Sequence, residues 1–309
     1  MIRKLLFSLL FFFCAKSFSQ VQTDTTFTEQ SELRKVRKNF PFVKLAQVAP
    51  DSFVREISDI PFKVSNGRHL LLNGFFVNTK IKKPAVILIH GGGWKSGSKE
   101  MMTSIARKLS ENGYHCFAVE YRLSGEAKYP AAIEDVKDAI LFIKKNSKKY
   151  KVDAQKIAVL GTSSGGQISA LIGSKYPELV SAVVDIDGIL AFHHPLSKEG
   201  ASAANWLGGT FEQIPEIWND ASPLTHANNI SVPYLFINSQ FDRFHAGRDE
   251  VIEKMNRNRI PTEVHQIGNS PHTFWMFEPW FQPTMDFVLE FLKHNSKPTT
   301  FKQNKNENK

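Results

Sequence analysis

The sequence predicts an α/β protein in which a mostly parallel sheet is covered by helices on both faces. Short apolar runs rich in Val, Ile and Phe recur along the chain, which is typical of strands buried on both sides. Amphipathic stretches alternate with these runs, as expected when each strand is followed by a covering helix. The 309 residues, 42% of them hydrophobic, are enough for one large core. No repeat or Pro/Gly/Ser linker divides the body, so we expect one domain over residues 40–295.

Each predicted element rests on the period of its apolar residues. Helix 131–145 places Ile133, Val136, Ile140 and Ile143 on one face, so this face should pack on the sheet. The predicted strands are 85–89, 116–119, 157–160, 180–186, 234–237 and 263–267. The predicted helices are 102–112, 131–145, 247–258 and 282–294.

Residues 1–19 have the pattern of a secretory signal peptide. Arg3 and Lys4 form a basic start, 5–13 is apolar, and the small Ser19 precedes the expected cleavage point. The apolar run is too short to span a bilayer, and no later segment approaches 18 uninterrupted apolar residues. We therefore expect a secreted or periplasmic protein with no integral membrane segment.

The two ends flank the domain with polar sequence. Residues 20–39 lack periodicity and predict a flexible leader, and residues 296–309 predict a basic disordered tail. The formal net charge is +9, but three positive charges lie in the signal peptide and a net three in the tail, leaving about +3 on the body. No basic patch is interleaved with aromatics, so nucleic acid is not an expected partner. Without the signal peptide, Cys116 is the only cysteine, which excludes an intramolecular disulfide. The oligomeric state is left open.

The segment Gly161-Thr162-Ser163-Ser164-Gly165 follows a predicted strand and opens an apolar helix. A serine hydroxyl becomes a useful nucleophile only when it is held beside a base and beside donors for an oxyanion. Glycines two residues to either side leave room for the sharp turn that exposes the hydroxyl. A G-x-S-x-G match is common by chance and a glycine-rich helix start would also give it, but the strand–turn–helix context favours Ser163 as a nucleophile.

A second glycine-rich segment, HGGGW at residues 90–94, follows the predicted strand 85–89. Three glycines allow the chain to approach a ligand closely and to turn N–H groups toward it. A plain glycine turn is the alternative, but both glycine segments follow strands. We therefore expect the backbone N–H groups of Gly92, Gly93 and Ser164 to form an oxyanion hole, with His90 orienting the loop.

These motifs, together with EYRL at residues 120–123 and YPAAIEDV at 129–136, resemble the α/β-hydrolase esterase/lipase family. The resemblance covers most of residues 60–292 and is similar in particular to bacterial carbohydrate esterases, including acetylxylan- and feruloyl-esterase-like members. It implies an α/β-hydrolase fold, a serine mechanism and no cofactor. It is specific for fold and reaction class, and much less so for substrate.

In this fold the triad follows the order Ser, acid, His, so the base lies late in the chain. His272 follows the strand 263–267 through a short loop, where a side chain can project over the edge of the sheet. The other late histidines are interpreted as surface or packing residues. The adjacent pair His193-His194 does not predict a metal site, because neighbouring side chains point apart and no carboxylate spacing completes one.

The acid should follow one of the strands after the nucleophile, and the predicted strand 234–237 leads to Asp242. Asp242 would accept a hydrogen bond from His272 and stabilise the imidazolium. Two alternatives stay open: Asp187, just past the predicted strand 180–186, where some relatives of this fold keep their acid, and Asp249 on the helix 247–258.

Aromatic residues are the candidates for substrate contact. Trp94 lies next to the oxyanion segment, Trp206 in the insertion 192–229, and Trp275 near the base, and we expect one or two of them to face the cleft. Large aromatics are often core residues instead. The substrate hypothesis is an acylated carbohydrate from which an acetyl ester is hydrolysed. The alternatives are feruloyl ester hydrolysis, an arylformamidase-like reaction, and a binding module that has lost catalysis.

Overall fold

The computed structural model of the chain describes residues 26–295 and contains a central eight-stranded sheet. Its strands in chain order are β1 Val54–Ser65, β2 Arg68–Val77, β3 Lys83–Ile89, β4 His115–Val119, β5 Val152–Thr162, β6 Ala182–Ile186, β7 Tyr234–Ser239 and β8 Thr262–Ile267. All six strands that the sequence predicts are present, with ends that differ by a few residues. The signal peptide and the tail of the sequence prediction lie outside the described residues.

The strand order across the sheet is β1-β2-β4-β3-β5-β6-β7-β8. Strands β3 to β8 run parallel, whereas β2 pairs antiparallel with both β1 and β4. The predicted fold class is confirmed, with an antiparallel β1–β2 hairpin added at one edge. The apolar runs did not indicate β1, because most of its residues are exposed or half-buried and it lacks a continuous hydrophobic run.

Helices cover both faces of the sheet. They are α1 Glu29–Val36, α2 Thr103–Glu111, α3 Ala131–Lys145, α4 Ser147–Tyr150, α5 Ser164–Lys175, α6 Gly200–Leu207, α7 Pro215–Asp220, α8 Arg248–Arg257 and α9 Phe281–Asn295. Alternate residues of β3 enter different cores: Ile87 belongs to the core that includes residues of α3, α5 and α8, while Leu88 belongs to the one that includes residues of α2 and α9. The central strands are therefore buried on both sides, which explains their apolar sequences.

The prediction of a flexible leader is wrong for the part that forms α1. This helix begins at a Thr28 capping box, in which Thr28 and Ser31 each accept a hydrogen bond from the other's backbone N–H. Leu33 and Val36 lie on its inner face, and both are buried in the core that contains α2 and α9. The leader thus contributes ordered structure to the domain, close to the site described below.

The carboxyl ends of the parallel strands meet at one edge of the sheet, where the predicted site residues gather. The insertion between β6 and β7 lies above this edge and contains α6 and α7. Within residues 26–295 there is no helix of sufficient length and apolarity to cross a bilayer.

Candidate active site

Ser163 lies in a tight turn between β5 and α5. Its backbone has φ 53° and ψ −121°, a conformation that is strained for a residue with a side chain. The turn is possible because of its flanking glycines: a Cβ at Gly161 would lie 1.9 Å from the Gly165 carbonyl oxygen, and one at Gly165 would lie 2.1 Å from that of Ile89. Glycine is therefore required at both positions by close backbone contacts, and the strained turn that results raises the serine hydroxyl above the sheet.

His272 connects the serine to a buried carboxylate. Its Nε2 lies 2.9 Å from Ser163 Oγ, and its Nδ1 lies 2.7 Å from Asp187 Oδ2. A carboxylate at Nδ1 holds the proton on that nitrogen, which leaves Nε2 free to accept the serine proton. The predicted pair Ser163 and His272 is thus brought together in the geometry of a nucleophile and its base.

The acid beside His272 is Asp187, and the prediction of Asp242 is wrong. Asp242 begins a 3₁₀ turn after β7, its side chain is 82% exposed, and the partner it approaches is His245 at 3.9 Å. Asp187 lies at the end of the neighbouring strand β6 with no exposed side-chain surface. The left-handed backbone of Asp187 (φ 55°) turns the chain just after the strand. The alternative Asp249 is also exposed and pairs with Arg248.

The Asp187 carboxylate is held by the end of β7. Its Oδ1 accepts a hydrogen bond from the Ser239 backbone N–H at 2.8 Å, while Oδ2 serves His272. Two residues earlier, Asp185 is equally buried but turns away and accepts from the Gly188 N–H. Burial raises the pKa of Asp185 well above its ordinary value. Of these two aspartates, Asp187 alone is hydrogen-bonded to His272.

Phe244 and Trp275 hold the plane of the His272 ring. Phe244 stacks on the imidazole with a centroid separation of 3.7 Å and an interplanar angle of 5°. Trp275 meets the ring at 90°, 5.2 Å away. Phe244 was not among the predicted site residues; the available indication was that it lies two residues after Asp242, in a loop expected to reach the site.

The oxyanion loop lies against the nucleophile turn. Gly92 and Gly93 have positive φ angles and line the same cleft as Ser163 and Ser164. Among the described residues, the N–H groups of Gly92, Gly93 and Ser164 donate to no protein acceptor. These are the three donors that the sequence predicts, and they lie where an ester oxygen beside Ser163 could be met.

His90 anchors the base of this loop. Its Nδ1 lies 2.8 Å from the Gly91 carbonyl oxygen, and its ring stacks on Tyr121 at 4.4 Å. The Tyr121 hydroxyl in turn donates to the His90 carbonyl at 2.9 Å. Burial lowers the pKa of His90 to about 4, so the ring is neutral at pH 7 and can donate from Nδ1 to Gly91. This arrangement agrees with the predicted role of His90 in orienting the loop.

Of the three predicted substrate-binding tryptophans, Trp94 lines the cleft. Its indole N–H donates to Gln167 Oε1 at 2.9 Å, which fixes the ring. Trp206 is fully buried and stacks on Trp94 at 5.1 Å, and Trp275 is 2% exposed beneath His272. Trp94 is also 2% exposed, but Trp206 and Trp275 do not line the cavity at all, so the prediction of direct substrate contact is wrong for these two, which support cleft residues from the core.

The cleft is also lined by charged residues that were not among the predicted site residues. The cavity has a volume of about 340 Å³. Two ion pairs line it: Lys35 with Glu32 from α1, and Arg243 with Glu199 from the loops around β7. Lys95, which follows the oxyanion loop, also lines the cavity.

The pair His193-His194 lies away from this cleft. His193 stacks on Phe211 at 3.6 Å, and the Nε2 of His194 lies 2.9 Å from a Glu250 carboxylate oxygen. The two rings therefore have different partners. Within residues 26–295, no group of three or more His, Cys, Asp or Glu side chains is placed to hold a metal ion.

Comparison with known proteins supports an esterase assignment. A family model described as BD-FAE matches residues 76–247, which is more than half of the chain and includes the oxyanion loop and the nucleophile turn. The chain is similar to Esterase LipC of Mycobacterium tuberculosis, at 31% identity over 188 residues, 55% of this chain and 45% of the relative. It is also similar to an arylesterase of Saccharolobus solfataricus, at 34% identity over 128 residues, 41% of each chain. The matched part of the chain thus spans less than half of each of these relatives.

Solved structures share the fold at low sequence identity. A truncated form of a carbohydrate esterase from gut microbiota has a TM-score of 0.63 at 20% identity, covering 80% of this chain and 98% of the other. An arylesterase structure has a TM-score of 0.68 at 22% identity, covering 82% and 89%. The fold is that of the α/β-hydrolases, as the sequence predicts.

Proposed function

Because the chain belongs to the BD-FAE family, we propose that it is a serine carboxylesterase that removes acetyl groups from polysaccharides or oligosaccharides. The observation that carries this proposal is the continuous line from Ser163 Oγ through His272 to the buried Asp187, at 2.9 and 2.7 Å. The reading of residues 1–19 as a signal peptide adds the proposal that the enzyme acts outside the inner membrane.

The first half of the reaction would form an acyl-enzyme. Ser163 Oγ attacks the ester carbonyl carbon while its proton passes to His272 Nε2. The Asp187 carboxylate stabilises the imidazolium that results. His272 then returns the proton to the leaving alcohol oxygen, the C–O bond of the ester breaks, and the acyl group stays on Ser163.

The second half would repeat this chemistry with water. His272 takes a proton from water, hydroxide attacks the acyl carbon, and the acid is released as Ser163 Oγ regains its proton. In both halves the N–H groups of Gly92, Gly93 and Ser164 would donate hydrogen bonds to the carbonyl oxygen as it becomes negatively charged. Each such donor typically contributes about 10²–10³ in rate, because it is already oriented before charge develops.

The substrate proposal rests on the resemblance of the motifs to carbohydrate esterases and on the predicted export. Trp94 lines the cavity, but it is 2% exposed and stacks on Trp206, so it shapes the wall of the cleft and leaves no open ring face for a sugar. A feruloyl ester is the second candidate, because a cavity of about 340 Å³ is within the range that holds a small aromatic ligand.

The direct test of the reaction is the substitution Ser163→Ala, with Ser202→Ala as the matched control. Ser202 is exposed on α6 and takes no part in the proposed chemistry. We expect Ser163→Ala to abolish hydrolysis of an aryl acetate and labelling by a fluorophosphonate, and the control to retain both. Unchanged turnover in Ser163→Ala would refute the mechanism. Absence of labelling and turnover in the folded wild type would instead indicate a binding module.

The substrate is tested by treating one plant cell-wall preparation with wild type and with Ser163→Ala. Acetate release by the wild type alone supports the acetylesterase proposal, and hydroxycinnamate release alone supports the feruloyl alternative. Release of neither, combined with cleavage of simple lipid esters, would contradict a carbohydrate substrate.

A further inference from the structure

We propose that Arg243, Lys35 and Lys95 select esters that carry an anionic group, specifically acetylated sugars with a carboxylate within about one sugar ring of the scissile ester. We call these three residues the cationic rim. The inference rests on the proposed esterase function and adds a substrate class to it. It is argued from where the charges lie around Ser163 and how far each is exposed.

In each ion pair at the mouth, the cation is the exposed partner. The side chain of Lys35 is 64% exposed and that of Glu32 10%, whereas Arg243 is 42% exposed and Glu199 13%. The carboxylates are therefore largely shielded and already paired, while the cationic groups face the solvent at the entrance. A ligand approaching Ser163 meets the positive members first.

Lys95 adds a positive charge without a protein counterion. It is exposed, lines the same cavity as Ser163, and forms no ion pair with any described residue. The remaining carboxylate of the cleft, Asp187, is fully buried and hydrogen-bonded to His272. The rim thus offers three cations against two shielded glutamates, a balance that favours an anion.

Arg243 is also close to the reacting atoms. Its guanidinium carbon lies 4.5 Å from the centre of the Phe244 ring, and Phe244 stacks on His272 at 3.7 Å. The guanidinium is therefore no farther from the catalytic imidazole than the sum of these two distances. Among the described contacts, one of its terminal nitrogens binds Glu199, which leaves other N–H donors of the guanidinium for a ligand. A carboxylate bound there would lie near the ester being cleaved.

The energetics favour binding of such a ligand over a purely structural role for these ions. Exposed ion pairs within a protein contribute little to stability, so the rim gains little from its internal pairs alone. A substrate carboxylate can instead form a charge-assisted, bidentate hydrogen bond with the guanidinium. The same positive charges would increase the rate of encounter with an anionic polymer.

The test uses two small esters that differ in charge, 4-acetoxybenzoate and its neutral methyl ester. The measured quantity is the ratio of kcat/KM for the anionic ester to that for the neutral ester. Comparison of this ratio between variants cancels both the difference in leaving groups and any loss of folded enzyme. The variants are Arg243→Gln, Lys95→Gln and Lys35→Gln, with Arg257→Gln as control. Arg257 is exposed on α8, pairs with Glu253 and does not line the cleft.

We expect Arg243→Gln to lower the ratio by about 3- to 10-fold and the two lysine variants to lower it by less. Glu199→Gln should raise the ratio, because it removes the negative charge paired with Arg243. The preference for the anionic ester should also shrink as salt rises from 0.01 M to 1 M, since the screening length falls from about 30 Å to about 3 Å. The control should match the wild type at every salt concentration.

The failure of this proposal is distinct from failure of the esterase proposal. If the wild type hydrolyses the neutral ester but the ratio is the same in Arg243→Gln as in wild type, the cationic rim does not select anions. If the wild type hydrolyses neither ester, the proposed function itself is wrong. A final comparison of acetylated glucuronate with acetylated glucose should show the same dependence on Arg243, and loss of that dependence would overturn the assignment of a sugar carboxylate.

Discussion

Replacement of Asp187 by asparagine separates the observed triad from the one that the sequence predicts. The Asp187 carboxylate is fully buried and accepts hydrogen bonds from His272 Nδ1 and from the Ser239 N–H. Asparagine has nearly the same shape and can keep the bond from Ser239 through its oxygen. Its amide nitrogen then faces Nδ1, which must accept instead of donate. The proton moves to Nε2, where it prevents the imidazole from taking the proton of Ser163.

The expected loss is large and falls on kcat. A triad locked in the wrong tautomer loses about 10³- to 10⁴-fold in rate, equivalent to about 4–5 kcal/mol at 1.36 kcal/mol per factor of ten. The binding surface of the cleft is unchanged, so KM should change little. The assay is steady-state hydrolysis of an aryl acetate, combined with thermal unfolding to confirm that the variant is folded.

Two matched aspartate variants make the result specific. Asp242→Asn changes a side chain that is 82% exposed, so activity should stay within about twofold of wild type. Asp185→Asn tests burial without catalysis, because burial already raises the pKa of that carboxyl and so favours its neutral form, and the amide preserves the bond from Gly188. If Asp242→Asn lost activity while Asp187→Asn retained it, the assignment of the acid would be wrong.

Three further predictions concern packing and protonation around the site. Phe244→Ala should lower kcat about 10-fold because His272 loses its stacked partner, while Phe244→Tyr should restore it; equal rates for both variants would argue against a positioning role. Burial lowers the pKa of His90 and His115 to about 4, so folding favours their neutral rings, and the free energy of unfolding should be highest above their ordinary pKa of 6.5. It should decrease as the pH falls from 6.5 to 4, by up to about 3 kcal/mol for His90. Denaturant unfolding across that range should show the decrease, and a flat profile would contradict it. Gly165→Ala should prevent folding or lower Tm sharply, as measured by circular dichroism, because its Cβ would overlap a backbone carbonyl; a wild-type Tm would refute that account.

The central strands and the main helices could be predicted because their burial imposes a pattern on the sequence. Strands β3 to β7 are covered on both faces and therefore contain apolar runs that stand out from their surroundings. Strand β1 gave a weaker pattern, because all of its positions are exposed or half-buried. Strand β2 was also missed although most of it is buried, and its two apolar runs are separated by Asn73 and Gly74. Helix α1 was missed for a related reason: it has about two turns, and Leu33 and Val36 are the buried apolar residues in an otherwise polar segment. Tertiary packing fixes such an element more than local sequence does.

The site was predictable where geometry constrains the residue type. Gly161 and Gly165 are required by backbone contacts, so the nucleophile turn has a recognisable sequence, and the chain order of the fold then identifies His272. The choice between Asp187 and Asp242 had no comparable constraint. Both follow strands that end at the same edge of the sheet, and neither residue has neighbours in sequence that distinguish a buried carboxylate from an exposed one.

The position of the acid on β6 has a consequence for the loop after β7. Strand β6 is the direct neighbour of the nucleophile strand β5, and the Ser163 N–H donates to the carbonyl of Ile186, the residue before Asp187. The carboxylate therefore reaches His272 without any contribution from the side chains that follow Ser239. The loop after β7 is freed from supplying the acid, and its residues Arg243 and Phe244 instead contact Glu199 and the face of the imidazole. Because the acid follows β6, the loop after β7 is available for positioning the base and, in our proposal, for binding a charged substrate.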